Sequence, residues 1–463
     1  MVTKRKSPGL HGSGNRRAQT GYSLTELLIT LTLTMVVVIG VGRFLDSTQT
    51  VYVAQMNLAE MQQSARGSMR DITRHLRMLG RGGFPASSNL SPMPDGLSIT
   101  VDNNVPADTE ILEGSSLVSV PKVMETTDIL TVRGVFNSPI YQLNHADPTT
   151  FVQRVDDDRA GDLLLSSTTP TGVPQDLSKL IEIVELSKAN TDDPPIREAL
   201  LLASPLDPGI YAVAQLDPLN SDVSNPDLIR LRFVIADPSK DSSSHYANYY
   251  DVLNPGGTFP LELWDSRVGF VGVLEEYRFY VREEFAVPGD PLSDVAPRLS
   301  RARVYPASEI PYRNDEDYLS MDIADQVLDL QVALGFDSTN ADPTPTTITN
   351  TDGSTTTVEP GDEDFLIAET ADGANDDWLF NSPSDNPAEK PWNNLGINED
   401  FPDLYFVRVT ALVRTRQRDR TNLSRLIDAI EDRDYTNDSL NDREERLFRR
   451  TMLQTVIDLR NLG

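Results

Sequence analysis

The chain has 463 residues, room for two to four domains or one large domain with insertions. Lys and Arg number 41 against 70 Asp and Glu, a net charge of -29 that sets the protein as a whole against nucleic acid and anionic lipid headgroups. It has no Cys and only four His, His11, His75, His145 and His245, which excludes thiol nucleophiles, iron–sulfur clusters, disulfide scaffolds and HExxH-type metal sites. The charge is uneven: residues 1–21 carry Lys4, Arg5, Lys6, Arg16 and Arg17 with no acid, leaving 36 bases against 70 acids beyond Gly21. From Leu24 to Leu45 the chain is apolar, and Glu26 is its only charge before Arg43. At about 1.5 Å per residue that stretch crosses a bilayer core of about 30 Å if its ends snorkel, and the basic flank predicts a cytoplasmic N-terminus.

A secretory signal peptide or a plain signal anchor would also read this way. Against them, Val41-Gly42-Arg43-Phe44 offers no small-residue cleavage site, and an ionisable group such as Glu26 is expensive in lipid unless paired. The residues Gly21-Tyr22-Ser23-Leu24-Thr25-Glu26-Leu27 resemble the type III signal of type IV pilins and type II secretion pseudopilins. The resemblance implies cleavage by a membrane prepilin peptidase after Gly21, an N-methylated Tyr22 as the new N-terminus, and Glu26 as the fifth mature residue. Glu26 would then neutralise an α-amino group of a neighbouring subunit during assembly, where an unpaired buried charge costs several kcal/mol. Tyr stands where Phe is commoner in the family, and the leader is longer than the shortest ones.

Beyond the apolar run, Val51, Ala54, Leu58, Met61, Ala65, Met69, Ile72, Leu76 and Leu79 recur at intervals of three and four, and no Pro occurs between Pro8 and Pro85. This spacing predicts one continuous helix from Ser23 to Leu79, about 85 Å long, ended by Gly80, Gly82, Gly83 and Pro85. Arg66, Arg70, Arg74, Arg77 and Arg81 keep helical spacing beside the stripe, as a solvated charged face or as a ridge that docks on acidic neighbours. His75 is most simply a surface side chain of this helix.

After Pro85 short β-rich runs are separated by Pro, Gly, Asn and Asp. Strands are predicted at residues 128–135, 180–186, 210–216, 228–235, 271–281, 300–305, 327–334, 404–414 and 452–459, with one short helix between Arg418 and Glu431. Strands without regularly interleaved helices predict antiparallel sheet, so the fold class is α+β, with a long apolar helical spine on a large β-sheet head carrying loop insertions. The organisation is a leader at 1–21, a spine at 22–84 and a head at 85–463. Asp128–Gly134 (DILTVRG), Val273–Val281 (VLEEYRFYV), Ile323–Asp337, Leu404–Thr415, the C-terminal RRTMLQTVIDLRNLG and the helix-closing MQQSARGSMRDITRHLRMLG resemble, in that order, the PilW-type minor pilins. Type II secretion pseudopilins of the GspJ type share the layout.

Residues 337–400 hold 15 Asp or Glu against the single Lys390, with a Thr-rich stretch. The composition predicts a solvated insertion anchored by Trp378 and Phe380. Asp362, Glu363, Asp364, Asp372, Asp376 and Asp377 could instead supply oxygen ligands to calcium, although no EF-hand spacing is present. No phosphate-binding loop, G-x-S-x-G, HExxH or Rossmann motif appears, no residue is singled out for catalysis or cofactor binding, and the adjacent acids Glu275-Glu276 and Glu283-Glu284 are not spaced like a glycosidase pair. The resemblance implies a non-enzymatic subunit of the bacterial inner membrane, single-pass with a periplasmic head, later carried to the pilus and cell surface. Its implied partners are prepilin peptidase, other minor pilins, the major pilin, the inner-membrane assembly machinery and the bilayer, with no nucleic acid. Three roles remain open: pilus initiation or tip complex, secretion pseudopilus, and a tip adhesin.

Overall fold

The computed structural model describes residues 23–84, 98–112, 120–143, 153–156, 160–189, 198–204, 210–234, 253, 263, 268–285, 295–307, 312, 316–337, 346–349, 355–358, 378–380, 403–419, 423–431 and 433–459. Helix α1 runs Leu24–Leu76 without a break, as a proline-free segment with a continuous apolar period allows. It ends three residues before the predicted Leu79. Residues 77–83 form turns in which Gly80, Gly82 and Gly83 take φ of 71°, 94° and 83°, a left-handed region that favours glycine. The packing around Gly82 is also close: a Cβ there would stand 3.1 Å from Leu201 Cδ2 and 3.2 Å from Val135 Cγ2.

The chain divides into two compact units, Met1–Met56 and Asn57–Gly463. The boundary falls inside α1. Two further helices are α2 (Ser178–Ala189) and the single turn α3 (Glu316–Leu319). The first sheet has eleven strands: β1 (Ile99–Asp102), β2 (Ile129–Gly134), β3 (Tyr141–Gln142), β4 (Gln153–Asp156), β5 (Ala160–Ser166), β6 (Ala199–Ala203), β7 (Tyr211–Asp222), β8 (Leu228–Val234), β9 (Phe270–Phe285), β10 (Val295–Val304) and β11 (Met321–Asp325). The second combines β12 (Val327–Asp337), β15 (Trp378–Phe380), β16 (Asp403–Arg418) and β19 (Phe448–Asp458) in the order β15-β12-β16-β19. Two hairpins are separate, β13 (Thr346–Thr349) with β14 (Thr355–Val358), and β17 (Ala429–Ile430) with β18 (Arg433–Asp434).

Every described strand pairing is antiparallel, giving one long N-terminal helix and a large antiparallel sheet in an α+β chain. Strand β9 organises the first sheet: its first five residues pair with β6, and its later ones with β2 and β10. One of the head's core clusters joins the helix to both sheets. Met61, Ala65, Met69, Ile72, Leu76 and Leu79 are buried in one cluster with apolar residues of β1, β2, β9, β12 and β16, so the later part of the predicted stripe is the seam between helix and both sheets, while Val51, at its start, is exposed. A second cluster lies between β5–β9 and α2.

Three expectations are corrected. Residues 180–186 are helix α2, not a strand; Leu180, Val184 and Ser187 are buried at intervals of four and three, and Asp176 Oδ1 accepts from Ser178 N at 2.9 Å at the helix start. The described residues between Arg418 and Glu431 contain no helix. Their backbone is satisfied across the chain, with Ser424 N donating to Arg446 O at 2.7 Å and Ile427 N to Asn441 Oδ1 at 3.0 Å. His75 is buried, not a surface side chain: it is 3% exposed, with ring centroids 4.9–5.3 Å from Tyr277, Phe136 and Phe279, and its Nδ1 lies 2.8 Å from the Asp71 carbonyl.

Two outcomes follow for a fragment of residues 57–463. Ile72→Ala should lower its unfolding free energy in urea by about 2–5 kcal/mol, since Ile72 is fully buried, whereas Gln62→Ala on the exposed side should change it by less than about 0.5 kcal/mol. Burial lowers the His75 pKa, against the raising influence of Asp71. The unfolded chain therefore takes up the proton first, so the contribution of neutral His75 is complete above about pH 6.5 and is lost as pH falls towards the depressed folded value. Melting curves between pH 7.5 and 5.5 should show a loss of stability that His75→Gln reduces.

Candidate functional site

The expected processing site, Gly21 and Tyr22, lies outside the described residues. Glu26 sits in the first turn of α1. Ser23 N donates to Glu26 Oε2 at 3.3 Å and Glu26 N donates to Ser23 Oγ at 3.2 Å, a reciprocal capping box that satisfies donors the helix leaves free. Its signal, S-x-x-E at 23–26, was present in the sequence but not used. Glu26 thus has a partner in its own chain, at the helix end where negative charge is favoured, and a neighbour's amine is no longer needed to account for a carboxylate here.

Beyond this cap, Leu27, Leu31, Val36, Val38, Val41 and Phe44 are exposed. The helix is long and apolar enough to cross a membrane. Three of its threonine hydroxyls are satisfied internally: Thr30 Oγ1 donates to Glu26 O at 2.7 Å, Thr32 to Ile29 O at 2.8 Å and Thr34 to Thr30 O at 2.7 Å. Threonines bonded in this way leave no free donor in an apolar solvent.

Further along, Arg66, Arg70, Arg74, Arg77 and Arg81 are all exposed, as both a solvated face and a docking ridge require. Asp71 is held by Arg301 Nη1 of β10 at 2.9 Å, and that guanidinium also lies 4.9 Å above the Tyr277 ring. These contacts orient the helix against the first sheet at the level of His75.

The adjacent acids of β9 belong to two buried clusters. Glu276 is fully buried, receiving Arg133 Nε at 2.6 Å, Arg278 Nε at 2.9 Å and Ala307 N at 2.6 Å. Burial raises its pKa, but Arg133 and Arg278 outweigh burial and hold it below the usual carboxylate range. Glu275 receives Arg303 Nη2 at 2.9 Å and Asn137 N at 2.8 Å. The Arg303 guanidinium is 3.7 Å from Glu198 and lies 3.6 Å over the Tyr312 ring. Both carboxylates are thus ion-paired within the fold, which is a structural arrangement. Sequence inspection could not find these clusters, because Arg133 lies 143 residues from Glu276, and Arg303 lies 105 residues from Glu198 and on a different strand from Glu275.

Glu283 and Glu284 border a cleft of about 400 Å³ with Asp108, Lys122 and Glu125. Lys122 is paired with Asp108, and this hydrogen bond holds the Asp108 pKa below its ordinary value. A second cleft, of about 330 Å³, is bordered by Asn57, Glu60 and Ser64 of α1 and by Arg298, Arg414 and Phe448. Among the described residues no group of three His, Asp or Glu is arranged to hold a metal ion. The six carboxylates considered for calcium lie outside the described residues; of that segment, β15 is seen pairing its backbone with the end of β12, Phe336 opposite Trp378 and Leu334 opposite Phe380.

Comparison with protein-family models, curated proteins and solved structures returned no match to this chain.

The capping box can be tested in detergent micelles. Ser23→Ala should weaken the first turn by about 1 kcal/mol and speed amide exchange there, while Glu26→Gln, which can keep the reciprocal bond, should change it less.

Proposed function

We propose that this chain is a minor pilin of the PilW type, which enters a type IV pilus initiation or tip complex after cleavage by prepilin peptidase. The observation that carries the reading is the continuity of α1. One 53-residue helix opens two residues after Tyr22, presents an uncovered apolar surface as far as Leu45, and ends with its stripe sunk in an antiparallel β head. A plain anchor explains the first part and a soluble domain the last. A subunit drawn out of a membrane into a filament needs both on one helix.

On this reading the leader 1–21 is removed on the cytoplasmic side, Tyr22 becomes the N-methylated terminus, and the head is a structural, non-catalytic body in the periplasm and then at the cell surface. The carboxylate of Glu26 has two successive partners. In the membrane it caps its own helix, and during assembly it meets the α-amino group of a neighbouring subunit, which the same position at the helix mouth favours.

N-terminal sequencing of the membrane form should return Tyr22, and Gly21→Arg should leave the full-length chain. A terminus at Met1 in the wild type, or near Phe44, would overturn the reading. Glu26→Gln separates the two partners: it should be cleaved and helical, yet reduce surface pili counted by electron microscopy. Normal pilus number with normal incorporation would refute the pairing role. Intact pili with lost protein secretion in a deletion strain would move the assignment to a secretion pseudopilin, and intact pili with lost attachment to an adhesin.

A further inference from the structure

Most of the buried or half-buried arginines of the β head sit on carboxylates, among them Arg133 on Glu276, Arg282 on Asp322, Arg303 on Glu275, Arg408 on Glu431 and Arg433 on Asp329, while exposed Arg416, Arg425 and Arg443 pair with no described residue. Those of the helix do not. Arg66, Arg70, Arg74 and Arg77 are exposed, and none makes an ion pair or side-chain hydrogen bond with a described residue. At about 100° per residue, Arg70 stands opposite Met61, and Arg66, Arg74 and Arg77, the last just past the end of α1, fall within about 40° of it, so the ridge lies on the side of the helix away from the buried stripe. It is about 17 Å long. The only acids of this helix segment are Glu60, before the ridge, and Asp71, which Arg301 already holds.

A second observation marks the same face. Gly67 lies between Arg66 and Arg70, in the interior of the helix, where glycine is less favourable than alanine. A Cβ added there meets nothing within 4 Å. The fold of this chain therefore does not require the missing side chain. An open position beside four cations that no described residue neutralises is what a second backbone approaching closely would need.

We propose that Arg66, Arg70, Arg74 and Arg77, with the gap at Gly67, form the docking face for a carboxylate-lined surface of a second protein chain. Charge complementarity favours a protein over the other polyanions. The chain carries a net charge of -29, so a membrane plane or a duplex large enough to cover the ridge would also meet the acidic remainder of the head, whereas a narrow acidic face meets the ridge alone. The inference rests on the assembly reading only for the kind of partner, a neighbouring subunit.

The test uses the full chain in its membrane, with a benzophenone amino acid at exposed Gln63, one turn before Gly67. Irradiation should give an adduct whose attachment point, mapped by mass spectrometry, lies beside Asp or Glu of another protein. Its yield should fall several-fold in high salt, in the Arg70→Glu/Arg74→Glu double variant and in Gly67→Ala, although the melting temperature of the head is unchanged by the first and unchanged or raised by the second. Changing the mapped carboxylates to Lys should restore the adduct in the Arg70→Glu/Arg74→Glu background. Adducts with lipid alone, adducts indifferent to charge reversal, or failure of the charge swap would overturn the proposal. N-terminal sequencing of the same sample keeps the two readings apart. A chain still beginning at Met1 with a charge-dependent adduct refutes the pilin assignment and keeps the interface, and a chain beginning at Tyr22 without one does the reverse.

Discussion

Burial of one helical stripe is the constraint on which the head is built. Met61, Ala65, Met69, Ile72, Leu76 and Leu79 enter a single apolar cluster with residues from both sheets, so neither sheet has a complete inner face without the helix. Each large side chain of that stripe is worth about 1.5–3 kcal/mol when removed from water, and their sum fixes where the helix lies. Polar contacts then fix its rotation and the joint between the sheets. Arg301 reaches Asp71 from β10, and the fully buried Asp128, just before β2, accepts from Val332 N of β12 at 2.7 Å while its own N donates to Leu330 O at 2.9 Å.

The same apolar core makes its ions expensive. Glu276 with Arg133 and Arg278, Glu275 with Arg303, and Asp329 with Arg433 are removed from water, and such groups are tolerated because each charge has a partner and hydrogen bonds in place. Loss of one partner leaves an uncompensated charge, at a cost of about 3–5 kcal/mol. The β17–β18 hairpin shows the consequence for shape. Glu431 holds a φ of 52° and receives Arg408 Nε at 3.1 Å and Thr410 Oγ1 at 2.8 Å, while Arg433 and Tyr435 both reach Asp329, so paired charge fastens this hairpin over the outer face of the second sheet.

Helix α1 divides its length among three environments. Its first turn is closed by Ser23 and Glu26, its apolar run keeps threonine hydroxyls bonded to the preceding turn, and its last turns carry a buried stripe on one side and an arginine ridge on the other. A helix suits this division because every backbone bond lies within the segment, so its surface can change from polar cap to apolar run to buried stripe along its axis without breaking a bond.

The sequence by itself determined the helix, the membrane-competent run, the apolar stripe and the β-rich character of the head, because these depend on local period and composition. A spacing of three and four leaves little choice over fifty residues, and Val-, Leu- and Tyr-rich runs such as Val273–Val281 leave little choice about strand. Only the tertiary structure decided Leu180–Leu186, where Leu-Ile-Glu-Ile-Val-Glu-Leu satisfies both periods and the surface beneath selects the helix. It also decided His75, which lies at the margin of the stripe between two exposed arginines and is drawn inside by Phe136, Tyr277 and Phe279 from distant strands. Strand order and the pairing of Glu275 and Glu276 were hidden for the same reason. Their partners are brought together by closure of the sheets around β9, and contacts that form only on closure leave no period in the chain.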